Sequence, residues 1–398
     1  MQEPKCKYFG KCGGCATQHL PYEIQLENKK KRLSQTIGFE GVQVFSDEPW
    51  HYRNRMDMAF VKGGIGFREK GKWWSLLRVT DCPISNHRLN ELNQEICAFF
   101  GEDIDAFDVK KRTGTFKYAV IRTPQKDSCI SFVLNKDSSR LSEAVSKVED
   151  FAKKTTANNI LITYTDSKSS QSIGEDYIAV KGSDMLEETL LGKVFRYSAQ
   201  GFFQNNSVMA EKMHCYVREI LTESVNVYRN SKLESANISH NTKSESLQSR
   251  DTITDKQHLL DLYGGVGAFG IVNADLFHKV TSVESYEGCT VAAQANLELN
   301  GIKNMEAICI DAKRLKQVKL PEKDLYVITD PPRSGMHPET IIQLRKLKPE
   351  VLVYISCNVE QLGKDLPKLT DYKIKSAALF DLFPQTNHME SVIELVLK

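Results

Sequence analysis

The sequence predicts an α/β fold, with a doubly wound parallel sheet in the C-terminal half and an α+β domain before it. Three observations carry the prediction. After residue 257, the short apolar runs HLLDLYGG, KVTSVES, MEAICID, DLYVITDPP and VLVYISC each end in glycine or a polar residue. Helical stretches lie between most of them, which is the pattern of parallel strands joined by crossover helices. The first run opens into G-x-G-x-x-G at Gly265, Gly267 and Gly270, and Glu284 follows on the next strand. Before residue 200, MDMAFV, FKYAVIRT, CISFVL and NNILITYT alternate between turn-forming residues instead.

Taken in order, Tyr22 to about Gly38 reads as an amphipathic helix, with Ile24, Leu26, Leu33 and Ile37 among charges and a glycine to end it. Strands then dominate, with helical stretches near 86–101 and 139–154. Residues 225–257 are rich in Ser, Asn, Thr and Lys and poor in large apolar residues, so a disordered insertion is expected there. The expected domains are 1–195 and 196–398. At 398 residues, 41% hydrophobic and 26% charged, the chain is long enough for two cores. It shows no export signal and no run of eighteen apolar residues, so a soluble cytoplasmic protein without membrane contact is expected.

In a reducing compartment the ten cysteines should be free thiols, so tight spacing points to metal or catalysis before disulfides. CKYFGKCGGC puts Cys6, Cys12 and Cys15 together; disulfide, zinc and iron–sulfur readings all remain open on spacing alone. The net charge of +2 does not announce a nucleic-acid partner, but residues 1–80 hold 14 Lys/Arg against 8 Asp/Glu. Arg53, Arg55, Arg68, Lys72 and Arg78 interleave there with Tyr52, Trp73 and Trp74. Cations beside flat rings suit phosphates and unstacked bases; a solvated hairpin with its aromatics turned to the core is the alternative.

In a doubly wound sheet the ligand lies beyond the carboxyl ends of the strands. Four segments fall there: the glycine-rich turn with Glu284, which suits a nucleoside ribose; TDPPRSG with Asp330; YISCN with Cys357; and QTNHME with Glu390. Cys357 precedes a predicted helix, whose N-terminus would favour a thiolate. Glu390, before the last strand, is a candidate proton acceptor.

These segments in this order, preceded by FFQNN, resemble the S-adenosylmethionine-dependent RNA uracil-5-methyltransferases, and DPPRSG, SCN and QTxHxE are the specific matches. The resemblance spans most of the chain. It implies a Rossmann-like class I methyltransferase domain behind an N-terminal α+β iron–sulfur and RNA-binding domain. Carried over residue by residue, it implies Cys357 as nucleophile and Glu390 as base, with Gln204, Tyr263, Glu284, Asp311 and Asp330 in the cofactor pocket. Cys6, Cys12 and Cys15, with Cys82 in VTDCPIS as fourth ligand, match the branch that carries a [4Fe–4S] cluster. The implied substrate is RNA, with 23S ribosomal RNA favoured and transfer RNA as the alternative; no protein partner is evident. Ala268 and Val359 depart from the residues common in the family, Asn and Pro. A NAD-dependent dehydrogenase would leave DPPRSG, SCN and the cysteines unexplained, and a silent RNA-binding protein would not need both Cys357 and Glu390. Radical methylation generally uses C-x3-C-x2-C, whereas this chain has C-x5-C-x2-C.

Overall fold

The computed structural model describes residues 1–239 and 257–398. Helix α1 (Tyr22–Ile37) ends at Gly38, which sits at φ 66° and accepts the left-handed cap that only glycine takes without strain. Its inward face is only partly the expected apolar one. Leu33 and Ile37 pack on the core of the second sheet, but Gln25 and Lys29 are buried as well and Ile24 is exposed. The reason is that the first half of the helix meets the polar loop that carries Asp381 and Gln385. Strand β1 (Val42–Phe45) follows.

The first sheet comprises β2 (Arg55–Val61), β3 (Gly64–Glu69), β4 (Lys72–Arg78), β5 (Phe116–Arg122), β6 (Cys129–Asn135), β7 (Asn159–Thr165) and β8 (Tyr177–Lys181) in the order β4-β3-β2-β5-β6-β7-β8. All pairings are antiparallel except β6 with β7, where helix α3 (Leu141–Ala152) makes the crossover that a parallel pair requires. Helix α2 (His87–Phe100), capped by the Asn86 side chain, packs with α3 on one face. Met56, Met58 and Phe60 of β2 join that core, so Arg55, Asp57 and Ala59, alternating with them, face the other way.

The hairpin β9 (Met185–Leu190) and β10 (Lys193–Ser198) and the long helix α4 (Ser207–Ser239) lead into the second sheet. Helix α4 runs through the start of the segment expected to be disordered from 225, because no Gly or Pro interrupts residues 207–239 and polar composition alone does not break a helix. The rest of that segment, 240–256, lies outside the described residues.

The second sheet contains β11 (His258–Leu262), β12 (Lys279–Glu284), β13 (Met305–Cys309), β14 (Leu325–Thr329), β15 (Val351–Ser356), β16 (Tyr372–Phe380) and β17 (Glu390–Leu397), ordered β1-β16-β17-β15-β14-β11-β12-β13. Only β17 runs antiparallel to its neighbours. The helices between them are α5 (Ala268–Asn273), α6 (Glu287–Leu299), α7 (Pro338–Leu347) and α8 (Val359–Asp365). Every residue of β11, β14 and β15 is buried, as expected of strands covered on both faces. Successive residues of β14 feed opposite cores: Leu325 and Val327 one, Tyr326 and Ile328 the other.

Strand β1 pairs in parallel with β16, and α1 packs against α8. Strand β1, within the expected domain 1–195, thus pairs on the second sheet, and α1 packs beside it. The two sheets are fastened where Asn54 N donates to Asn205 O at 3.0 Å and Gln200 Nε2 donates to Ser131 Oγ and Thr163 Oγ1. Among the described residues no helix is long and apolar enough to cross a membrane.

Candidate active site

Five strands of the second sheet bring their ends to one edge. Tyr263 follows β11, Glu284 ends β12, Asp311 follows β13, Asp330 follows β14 and Cys357 follows β15; Glu390 starts the antiparallel β17 and so reaches the same edge from the opposite direction. All six line one cavity of about 850 Å³, together with Gln204. A second cavity of about 680 Å³ opens toward the first sheet, and Gln204, Arg333, Cys357 and Glu390 line both. The sulfur and the carboxylate thus stand where a large pocket under the second sheet meets one facing Arg55 and Asp57 of the first.

The larger cavity suits a nucleoside. Gly265 and Gly267 hold φ of 53° and 83°, turning the chain before α5. A Cβ at Gly264 would lie 2.0 Å from Ser282 Oγ, and one at Gly270 2.6 Å from the Met305 methyl, so the turn needs glycine for close packing. The Glu284 carboxylate accepts from the amides of Gly265, Ser285 and Tyr286, which fixes it at the cavity wall. Asp311 accepts from Lys313 N and pairs with Lys313 Nζ, which holds its carboxyl below the usual range. Asp261 was not singled out from sequence. It lies buried inside β11, accepts from Gly270 N at 3.0 Å, and burial pushes its carboxyl up to about 7. Its one signal in sequence is a charge inside the apolar run LLDLYGG.

Three acids crowd the junction. Burial pushes the Asp330 carboxyl up to about 7. It raises Glu390 well above the ordinary carboxylate value, with Asp330 adding to the rise and Arg333 opposing it. The Cys357 thiol is pushed up to about 11, first by burial and then by Glu390 and Asp330, against the pull of Arg333. The expected thiolate at a helix N-terminus is therefore not what the resting site favours: α8 spans only seven residues, and desolvation with two neighbouring carboxylates outweighs it. Arg333, in the DPPRSG segment, has no expected role from sequence; it supplies the positive charge here and contacts His388 Nδ1 at 3.3 Å.

Cys6, Cys12, Cys15 and Cys82 all line the 680 Å³ cavity. The thiols feel one another: the Cys15 thiol is pushed up to about 12 by burial, with Cys82, Cys6 and Cys12 each adding to the rise. Among the described residues, however, no three His, Cys, Asp or Glu side chains stand as a group that could hold a metal ion.

The loop before Glu390 is held by the N-terminal segment. Ala16 N and Thr17 N donate to Gln385 O, Gln25 exchanges hydrogen bonds with Gln385, and Tyr22 OH donates to Asp381 Oδ2 at 2.9 Å. Lys29 pairs with Asp381 at 2.6 Å, with exposures of 5% and 0%. Gln385 takes φ 68°, a backbone conformation that these contacts offset.

Residues 228–398 match the family model described as tRNA (Uracil-5-)-methyltransferase. The chain is 32% identical over 396 residues to the "tRNA (uracil(54)-C(5))-methyltransferase" of Pyrococcus abyssi, covering 99% of this chain and 86% of that one. It is 31% identical over 409 residues to an uncharacterized RNA methyltransferase of Caldanaerobacter subterraneus, at 98% and 84% coverage. The crystal structure of the Pyrococcus abyssi tRNA (uracil-54, C5)-methyltransferase in complex with S-adenosyl-L-homocysteine superposes with a TM-score of 0.75, at 31% identity and 96% and 86% coverage.

Replacing Lys29 by Met leaves Asp381 buried without its cation. We expect a loss of about 3–5 kcal/mol of stability at neutral pH, read from urea unfolding; a loss below about 1 kcal/mol would mean that the pair does not anchor the loop.

Proposed function

The chain belongs to the tRNA (uracil-5-)-methyltransferase family, and from that premise we propose that it methylates carbon 5 of a uridine in transfer RNA, of the U54 type. The Pyrococcus abyssi relative, named for that substrate and matching nearly the whole chain, supports transfer RNA over the 23S ribosomal RNA expected from the sequence. The observation that carries the chemistry is the position of Cys357 and Glu390 on both cavities at once. One cavity would take the methyl donor and the other a base turned out of its stack, since carbon 5 cannot be reached inside a helix.

S-adenosylmethionine, when bound, supplies a methyl group activated by its sulfonium. Gln204, Tyr263, Glu284, Asp311 and Asp330 would hold it, as the glycine turn and fixed carboxylates of the larger cavity suit an adenosine ribose. Carbon 5 of uracil is a poor nucleophile. Cys357, after losing its proton, would add as thiolate to carbon 6, forming a C–S bond and moving electron density to carbon 5. Carbon 5 would then take the methyl group as the sulfonium's bond to it breaks and leaves the neutral thioether, S-adenosylhomocysteine. Glu390 accepts the carbon-5 proton; the C–S bond breaks, the thiolate leaves and the ring double bond returns. Arg333, which opposes the raised pKa of both groups, would stabilise each as an anion when its turn comes.

The family resemblance and the shared cavity wall favour Cys6, Cys12, Cys15 and Cys82 as the residues that would hold a [4Fe–4S] cluster, although among the described residues they do not stand as a metal-holding group. A structural function follows from their connectivity, since Cys15 directly precedes the two amides that hold Gln385.

With transcripts of transfer RNA and 23S ribosomal RNA and labelled cofactor, we expect label in transfer RNA alone. Cys357→Ala should give neither turnover nor adduct. Glu390→Gln should lower turnover by about 10²–10⁴-fold and accumulate a protein–RNA adduct that survives a denaturing gel; turnover by Cys357→Ala would overturn the covalent route. Because both groups titrate above their ordinary values, the active forms gain population as pH rises. We expect kcat/KM to climb by at least about tenfold per unit between roughly pH 6 and 9, the slope of the Cys357 thiol alone, and more steeply wherever Glu390 also titrates, and a flat profile would contradict the assignment. After anaerobic purification, about four iron and four sulfide per chain are expected; one zinc and no sulfide would reject the cluster.

A further inference from the structure

The first sheet carries a second cavity on the face away from its helices. It measures about 330 Å³ and is lined by Arg68, Trp74, Phe107, Lys110, Lys117 and Tyr118 among others. The hairpin aromatics are not turned to the core: Trp73 and Trp74 are 59% and 44% exposed, with ring centroids 5.8 Å apart and edge to face. Two large apolar rings left in water side by side mark a surface that meets a partner.

The chemistry around them suits one kind of partner. Lys110 Nζ lies 4.6 Å from the Trp74 ring centroid, and Arg68 bridges the Trp73 carbonyl and the Tyr118 hydroxyl. Lys117 is buried, and its ammonium is spent on Thr165 Oγ1 and the carbonyls of Asp166 and Ser169, leaving a fixed positive charge in the wall. Acids stand among these cations: Glu69 pairs with Lys72, Asp108 on the cavity wall accepts from the amides of Lys110 and Lys111 and attracts both ammonium groups, and Asp166 and Asp137 act on Lys117. Exposed aromatic faces beside Arg68 and Lys110 suit a flat base and its phosphates.

The cavity is also aligned with the candidate active site. In the β2–β5 register Arg55 lies opposite Arg122, Asp57 opposite Val120 and Ala59 opposite Tyr118. Arg55 and Asp57 line the cavity that holds Cys357, and Ala59 and Tyr118 line the second one. Two residues along β2, about 7 Å, therefore separate the two sites on a single sheet face.

We propose that this cavity is a second nucleobase site, which takes an unstacked base of the substrate RNA at a nucleotide other than the methylated uridine. The inference rests on the reading of the protein as an RNA methyltransferase. Trp74 provides the stacking surface and Lys110 and Arg68 meet the flanking phosphates.

The test is binding of a full-length transfer-RNA transcript, followed by quenching of tryptophan fluorescence and by nitrocellulose-filter retention. Trp74→Ala should weaken binding by about tenfold or more and raise KM for RNA in step. Trp74→Phe, which keeps a ring, should stay within about threefold, and Lys110→Ala should lower the salt slope by about one. S-adenosylhomocysteine affinity serves as the folding control for each variant. Trp74→Ala binding RNA within twofold of wild type, in a protein that methylates RNA, would overturn the second site alone. Wild-type protein that binds the transcript but methylates no uridine would overturn the proposed function, while the Trp74 variants would still decide the site.

Discussion

The buried pair of Lys29 and Asp381 is the contact on which the active-site edge depends. Asp381 stands just past β16, and its side chain gathers Lys29 and Tyr22 from α1 while its amide donates to Phe45 at the end of β1. A charge taken this far from water is tolerated only with close partners, and burial does lower the Lys29 pKa, with Asp381 working against that. The consequence is geometric. Residues 381–389 cannot shift without breaking the pair, and β17 begins at Glu390 immediately after them. The same loop receives the amides of Ala16 and Thr17, so the cysteine-rich segment and the carboxylate at the strand mouth share one support.

Around that support the protein concentrates acids where solvent is scarce. Asp261, Asp330 and Glu390 all stand above their ordinary pKa values because the strand ends and the glycine turn exclude water from them. The arrangement holds protons that the proposed chemistry must move, and it raises the thiol of Cys357 for the same reason. The Arg333 guanidinium opposes the rise at both Cys357 and Glu390. A site built this way is costly to ionise at rest, and a bound substrate that excludes further water or brings its own polar groups changes the balance.

Much of the second sheet was legible because its strands are buried on both faces and read as unbroken apolar runs, each closing on a residue that reaches the ligand edge. Glu284, Asp330 and Cys357 were read that way, and Glu390 by its place before the final strand, whereas Tyr263 and Asp311 entered only with the family resemblance. Other features carried no such signal. The inward face of α1 also holds Gln25 and Lys29, whose partners Gln385 and Asp381 lie more than 350 residues away, so hydrophobic periodicity found Leu33 and Ile37 but not the polar half of the buried face. The start of the polar segment from 225 is helical because composition reports the lack of a buried face, not the lack of backbone hydrogen bonds.

By itself the sequence determined the element types, the order of the strand-end residues and the family, since these depend on local periodicity and short motifs. Tertiary structure alone decided that β1 joins the distant β16, that four cysteines from two segments share a cavity with Cys357 and Glu390, and that Trp73 and Trp74 face solvent. It also decided the protonation bias of the site, where helix position suggested a thiolate and burial with two carboxylates favours the thiol. The reason is common to all of these: burial, charge proximity and register are set by which surfaces meet, and that information is distributed over residues hundreds of positions apart.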